Sequence, residues 1–272
     1  MAEVIYDMPE KEYHAHPALG STSIRLLGDP ELSLADVKYK MENSEQKEAY
    51  DVGTLAHALI LEGNLDHLIK LVPFDSYRSN AAKQARDDAL NDGLIPINES
   101  EEESKLGAVY RMRDAVMAHP IAKELFTGHQ PEVSIFWEQE GVQMKARIDA
   151  MKPNIWADLK TVADPSPGEV RKQISNYGYY IQEEHYLTGG EIVTGFRPDW
   201  YFATVGKSEP HSVSIHKMAP AAQEKARARI SFAITRYKHA IEHGWPGYTA
   251  IYEQDLTPWE SRKTEDLMEM TT

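Results

Sequence analysis

The spacing of apolar positions changes period along the 272 residues, and each change marks a different kind of element. In the first fifty residues Gly20-Ser21-Thr22-Ser23 precedes Ile24, Leu26 and Leu27, which predicts a short capped helix ended by Gly28-Asp29-Pro30. Asp51 to Glu62 is apolar at most positions and lacks proline, so it reads as a buried helix ending near Gly63. Ser76 to Asp92 is polar and alanine-rich and closes on Gly93, the pattern of an exposed helix. Ser100 with Glu103 forms a capping box for a helix running to about Ala118, where His119-Pro120 stops it. The period then falls to two. Val133, Ile135 and Trp137 alternate with polar residues, Glu140-Gly141 turns, and Val142, Met144, Ala146 and Ile148 alternate again. Pro153-Asn154 turns once more before Ile155, Ala157 and Leu159. This is a three-strand meander over about 132–161. Beyond Pro165 to Pro167, Gly168 to Leu187 reads as one long helix closed by Gly189-Gly190. Glu191 to Thr204 and His211 to Lys217 read as strands and Ala219 to His243 as a long amphipathic helix. The acidic, proline-punctuated tail after Trp245 is expected to wrap or fray.

No repeat or long linker divides this order, which implies one α/β domain with a central mixed sheet flanked by helices. The expected parts are a helical N-terminal segment (1–50), a core (51–245) and an acidic tail (246–272). Composition narrows the chemistry. The chain has no cysteine, which removes disulfides, thiol nucleophiles, iron–sulfur clusters and cysteine-ligated zinc. No run approaches the length of apolar residues that spans a bilayer, and Met1 to Glu10 lacks a basic, then apolar, leader pattern. The expectation is a cytoplasmic protein that does not enter a membrane. The net charge of −14 argues against a simple DNA-coating module. It argues less against an enzyme that holds divalent cations on carboxylates.

The meander carries the sharpest chemical feature. Asp158 and Lys160 are two apart on one strand and share a face, while Ala157 and Leu159 point the other way. Asp149 ends the preceding strand, on the face of Arg147, and a hairpin brings it beside Asp158. Two carboxylates and an ammonium then converge at one end of a sheet, a donor set suited to a hard cation such as Mg²⁺. A solvated face with cross-strand ion pairs has the same pattern. His57 lies in an apolar stretch where Gly53 and Ala56 thin the helix. It is either a satisfied core histidine or a nitrogen ligand brought close to the sheet. Gln182 and Tyr186 share a face of the helix after the meander.

Together these residues resemble the PD-(D/E)xK nuclease superfamily, in the branch of RecB-like exonucleases that includes the nuclease domain of exonuclease VIII and its phage relatives. The resemblance rests on Gly53-Thr54-Leu55-Ala56-His57, Arg147-Ile148-Asp149, Asp158-Leu159-Lys160-Thr161 and Gln182-x-x-x-Tyr186 in that order. An early segment from Tyr13 to Ser23 is also similar, so the match spans about residues 13 to 245. Ile148 replaces the proline of the motif's name. The resemblance implies a restriction-endonuclease-like core. It implies that His57, Asp149 and Asp158 ligate Mg²⁺ (or Mn²⁺) with help from the Leu159 carbonyl, and that Lys160 assists the attacking water. It places Gln182, Tyr186, Arg147 and Thr161 as supporting or DNA-contacting residues. It further implies a 5′→3′ exonuclease on double-stranded DNA ends, acting in recombination or repair, homo-oligomeric, with a single-strand-annealing partner. A non-cleaving DNA-end or partner-binding protein and an endonuclease of the same fold are the alternatives.

Other signals are weaker. Gly206-Lys207-Ser208 echoes a phosphate loop, but Tyr201 stands where its first glycine belongs. Tyr177, Tyr179 and Tyr180 either pack or stack on bases. Glu132 is either a carboxylate supporting the site or a strand-edge surface acid. Glu101-Glu102-Glu103 suits a helix N-terminus.

Overall fold

The computed structural model describes residues 2–43 and 52–271. A short strand β1 (Glu3–Ile5) leads into α1 (Glu10–Ala15), α2 (Ser21–Leu27) and α3 (Leu34–Glu42). Then come α4 (Val52–Glu62), β2 (Ile69–Val72), α5 (Asn80–Asn91) and β3 (Ile95–Asn98). A turn of helix α6 (Glu99–Glu101) runs through a π-helical segment (Glu102–Leu106) into α7 (Gly107–Ala118), followed by α8 (Pro120–Leu125). The meander is β4 (Gln130–Gln139), β5 (Val142–Met151) and β6 (Ile155–Val162). After it come α9 (Pro167–Tyr177), α10 (Tyr179–Thr194), β7 (Asp199–Gly206), β8 (Val213–His216), α11 (Pro220–His243) and α12 (Pro258–Thr271).

A six-stranded sheet runs β1-β4-β5-β6-β7-β8. All neighbours are antiparallel except β6 and β7, which α9 and α10 join as a parallel pair. β2 and β3 form a separate parallel pair. One sheet face buries Trp137, Met144, Trp156 and Phe202 against α2, α10 and α11; the other buries Ala157, Leu159, Ala203 and Val205 against α4, α7 and α8. Alternation along β6 therefore sends Trp156, Asp158 and Lys160 toward α10, and Ala157, Leu159 and Thr161 toward α4.

Several boundaries depart from the pattern read in the sequence, each for a physical reason. Asp51 lies outside the described residues. α5 starts after Ser79, whose Oγ accepts from the Ala82 N–H at 3.1 Å, and not at Ser76. The capping box before α7 is Asn98 with Glu101, not Ser100 with Glu103, because the Asn98 side chain takes the Glu101 N–H and Glu101 returns to the Asn98 N–H. The helix expected over Gly168–Leu187 is two helices, parted at Gly178 in the left-handed conformation. Gly189 and Gly190 do not end α10. They let it lie directly on the sheet, since a Cβ at either position would come within 2.6 Å of the Trp137 or Trp156 indole. Residues Glu191–Thr194 are accordingly helical, and the strand begins only at Asp199. The N-terminal segment is not wholly helical but adds β1 to the sheet edge. Past Trp245 the chain docks through the Pro246 carbonyl, which accepts from the Ala35 N–H at 3.0 Å, and through the Tyr248 hydroxyl, which donates to the Glu31 carbonyl at 2.6 Å; it then forms α12.

Candidate active site

The β5–β6 ladder has two register pairs, Ala150↔Ala157 and Met151↔Trp156. The next position would set Asp149 opposite Asp158, and there the backbone pairing gives way to side chains. The Leu159 N–H donates to Asp149 Oδ2 at 2.8 Å. A carboxylate thus satisfies a strand N–H that would otherwise be orphaned where the strands part. Asp158, only 1% exposed, accepts from Lys160 Nζ at 2.9 Å and from Gln182 Nε2 at 2.5 Å, both on Oδ1; Lys160 also lies 2.7 Å from Oδ2.

α4 brings His57 to the same opening. Its apolar face packs Leu55, Ala56, Ala58 and Leu59 into the core, and His57 Nε2 lies 3.0 Å from Asp149 Oδ2. Its Nδ1 is 3.9 Å from Glu132 Oε1. Glu132 is the departure from the expected set. It is skipped in the β4–β5 register between the Pro131↔Ala150 and Val133↔Ile148 pairs, and its φ is +51°, a conformation L residues rarely adopt. The register is unchanged on either side, so no residue is inserted; the Glu132 carboxylate faces His57 from this backbone conformation. Ligand atoms of His57, Glu132 and Asp149 all lie within 4.8 Å of one another, the one such group among the described residues. Asp158 is instead engaged by Lys160 and Gln182.

Arg147 donates to Glu132 Oε2 at 2.5 Å and to the Met8 carbonyl at 3.1 Å, so it anchors Glu132 and the N-terminal segment. Beside it the buried Lys145 donates to the Tyr13 and His16 carbonyls, each at 2.7 Å. Tyr186 is buried, with its hydroxyl facing Ser21 and the Arg147 backbone. The structure thus brings His57, Asp149, Asp158, Lys160, Gln182, Arg147 and Tyr186 together and contributes Leu159 through its backbone N–H. Thr161 falls on the opposite sheet face. Sequence reasoning left Glu132 open and missed the Lys145 clamp. Alternation exposed Lys145 as a charge on a strand, but the carbonyls it caps are about 130 residues upstream and leave no local signal.

The electrostatics are those of a site with surplus negative charge. Burial and the neighbouring Asp149 charge push the Glu132 carboxyl up to about 7. Burial and the same charge raise Asp158 to about 6. Burial would also raise Asp149, but the His57 imidazole, Lys160 and the Leu159 N–H outweigh it and hold it below the ordinary range. Burial disfavours a charged His57 and a charged Lys160, yet the facing carboxylates win and raise both. Oxygen donors with one imidazole, buried and crowded enough that two carboxyls are raised toward neutrality, are a fitting donor set for a hard divalent cation.

A mixed sheet between two helical layers, with this carboxylate–lysine pair where two central strands part, defines a restriction-endonuclease-like fold. Residues 21–253 match the family described as a PDDEXK-like domain of unknown function (DUF3799), and the chain belongs to it. A crystal structure from Eubacterium rectale, provisionally described as an exonuclease, superposes with a TM-score of 0.62 at 12% identity, covering 94% of this chain and 98% of that one. That likeness is one of fold. No curated protein is matched by the sequence. Family and fold support a nuclease, and no helix among the described residues is long and apolar enough to cross a membrane.

Proposed function

We propose that the protein is a divalent-metal-dependent deoxyribonuclease, acting as a 5′→3′ exonuclease on the ends of double-stranded DNA in recombination or repair. The observation that carries this reading is the meeting of Asp149, Asp158 and Lys160 where β5 and β6 separate, with His57 and Glu132 at the same opening. His57, Glu132 and Asp149 would hold Mg²⁺ or Mn²⁺, with Asp158 within the same charged cluster. Bound there, the cation supplies Lewis-acid neutralisation of phosphate charge and activation of water. Gln182 fixes the Asp158 carboxylate. Lys160 is held protonated by Asp158 and Asp149, so its role is to donate to the attacking water or a phosphate oxygen and place it in line. Tyr186 and Arg147 keep the N-terminal segment and Glu132 in position.

The reading takes the chain as one catalytic domain working in the cytoplasm. A homo-oligomer around the DNA and a single-strand-annealing partner belong to the same proposal, by resemblance. The test is incubation of the purified protein with end-labelled linear duplex and with covalently closed circles, in Mg²⁺ and in EDTA. Mg²⁺-dependent loss of the linear duplex alone supports the exonuclease, and release of label from 5′ ends first supports its polarity. Nicking of circles makes it an endonuclease. Binding without cleavage makes it a DNA-end-binding protein.

A further inference from the structure

Tyr177 ends α9 and Tyr179 opens α10. On an unbroken helix, side chains two apart diverge by about 200°. Here Gly178, at φ +69°, breaks the helix and brings both rings to one side, where they stack at 5.7 Å with planes 29° apart. The stack continues inward. Tyr179 lies on Phe202 at 5.7 Å and 25°, and Lys160 Nζ lies 5.1 Å from the Tyr179 ring centroid. Phe202 is the register partner of Asp158. A run of aromatic faces thus leads from the surface to the lysine of the site.

Packing accounts for Tyr179 and Phe202, which join the core. It does not account for Tyr177, which is 60% exposed although it caps the stack. An arginine packs against the residue that follows it. The Arg25 side chain passes Gly178 so closely that a Cβ there would come within 2.7 Å of Arg25 Cδ. Among the described residues Arg25 has no ion-pair or hydrogen-bond partner. An open aromatic face, with an unpaired arginine packed against the adjoining Gly178, matches one chemistry, a flat base followed by a phosphate.

We propose that Tyr177 and Tyr179 form a stacking step for an unpaired base of the strand entering the site, with Arg25 taking the adjoining phosphate. This rests on the nuclease reading and extends it. The substrate is an end whose terminal bases are frayed or overhanging, because a paired base does not present a free face to the step.

The test uses the full chain and linear duplexes with a short overhang, either natural or with abasic residues in place of its bases. Half-saturation is read from single-turnover cleavage in Mg²⁺, and stacking from the fluorescence of 2-aminopurine in the overhang. Wild type should bind the abasic end roughly tenfold more weakly, within what one base–aromatic stack contributes. Tyr177→Ala should lose about as much on the natural end, lose nothing more on the abasic end, and leave 2-aminopurine unquenched, while Tyr177→Phe behaves as wild type. Arg25→Gln should weaken binding on both ends and lower the salt dependence by about one phosphate contact. Cleavage with no discrimination by wild type, or discrimination that persists in Tyr177→Ala, overturns the stacking step and leaves the nuclease reading intact. Absence of any DNA cleavage or binding by wild type overturns both.

Discussion

Glu132→Gln tests whether the cluster is strained by its own charge. The carboxyl is raised from 4.5 to about 7, chiefly by burial and by Asp149. A raised folded-state value means that the folded protein holds this proton more tightly than the unfolded chain does. The associated stability is present below about pH 4.5 and is lost as pH rises through 7. At about 1.4 kcal/mol per unit, wild type should lose on the order of 3 kcal/mol through this group between pH 4.5 and 8.5. The amide cannot ionise, so the variant escapes that loss while keeping the shape of the side chain. In EDTA, urea unfolding should therefore favour Glu132→Gln progressively above about pH 4.5, levelling off above pH 7 at about 2–3 kcal/mol. In Mg²⁺ that advantage should shrink toward zero. Ligand that binds only the folded state adds about 2.7 kcal/mol at a hundredfold excess over its dissociation constant, and the variant lacks one donor. A wild-type-minus-variant difference that stays flat from pH 5.5 to 8.5 in EDTA would refute the argument, since it would mean that Glu132 does not feel Asp149.

Other consequences can be checked on the same preparations. Lys160→Ala should lose roughly 10²–10⁴-fold in single-turnover cleavage at saturating DNA while keeping DNA affinity; weakened affinity with an unchanged saturating rate would reduce Lys160 to a phosphate clamp. Asp149→Ala should abolish cleavage with the fold retained by circular dichroism, and wild-type-like cutting would remove it from the mechanism. Gly189→Ala should cost about 1–3 kcal/mol in urea unfolding, because its methyl would meet the buried Trp137 ring at 2.6 Å; a neutral result would mean that α10 can lift off the sheet freely. Glu183 is buried on α10, accepts from Gln223 at 2.8 Å, and is raised to about 7 by burial first. Glu183→Gln should likewise gain on wild type as pH rises from 5 to 8.5, with Mg²⁺ making no difference to the gain.

The carboxylate–lysine geometry was legible because period-two alternation is a strong constraint: once 155–159 alternates, Asp158 and Lys160 must share a face. The hairpin then sets Asp149 across from Asp158 with no further information. What sequence could not carry was anything decided by contact between distant segments. Gly189-Gly190 signals a helix end by propensity alone, yet here the missing side chains admit two indoles, and the helix runs on to Thr194. β1 has three residues and acquires its meaning only by pairing with β4. Glu132 was visible as an acid at the start of a strand. Whether it faced solvent or His57 depended on a gap in the strand pairing and a positive φ that no residue type at that position announces.

The acidity of the chain is less opposed to DNA than its net charge of −14 suggests. Three carboxylates at the opening face Arg147, Lys160 and one imidazole, and these cations are already committed: Arg147 to Glu132, Lys160 to Asp158, His57 to Asp149. These pairings leave no free positive charge for a phosphate at the opening, and burial together with the Asp149 charge raises Glu132 and Asp158. A divalent cation held there, as proposed, would add two positive charges and make the same carboxylates the reason a phosphodiester is drawn to this end of the sheet. Arg25 packs against Gly178, the residue between the two stacked tyrosines. Long-range attraction from a basic surface is therefore not required. In the proposed reading, recognition would rest on short-range neutralisation at the opening and on base stacking beside it, both acting within a Debye length.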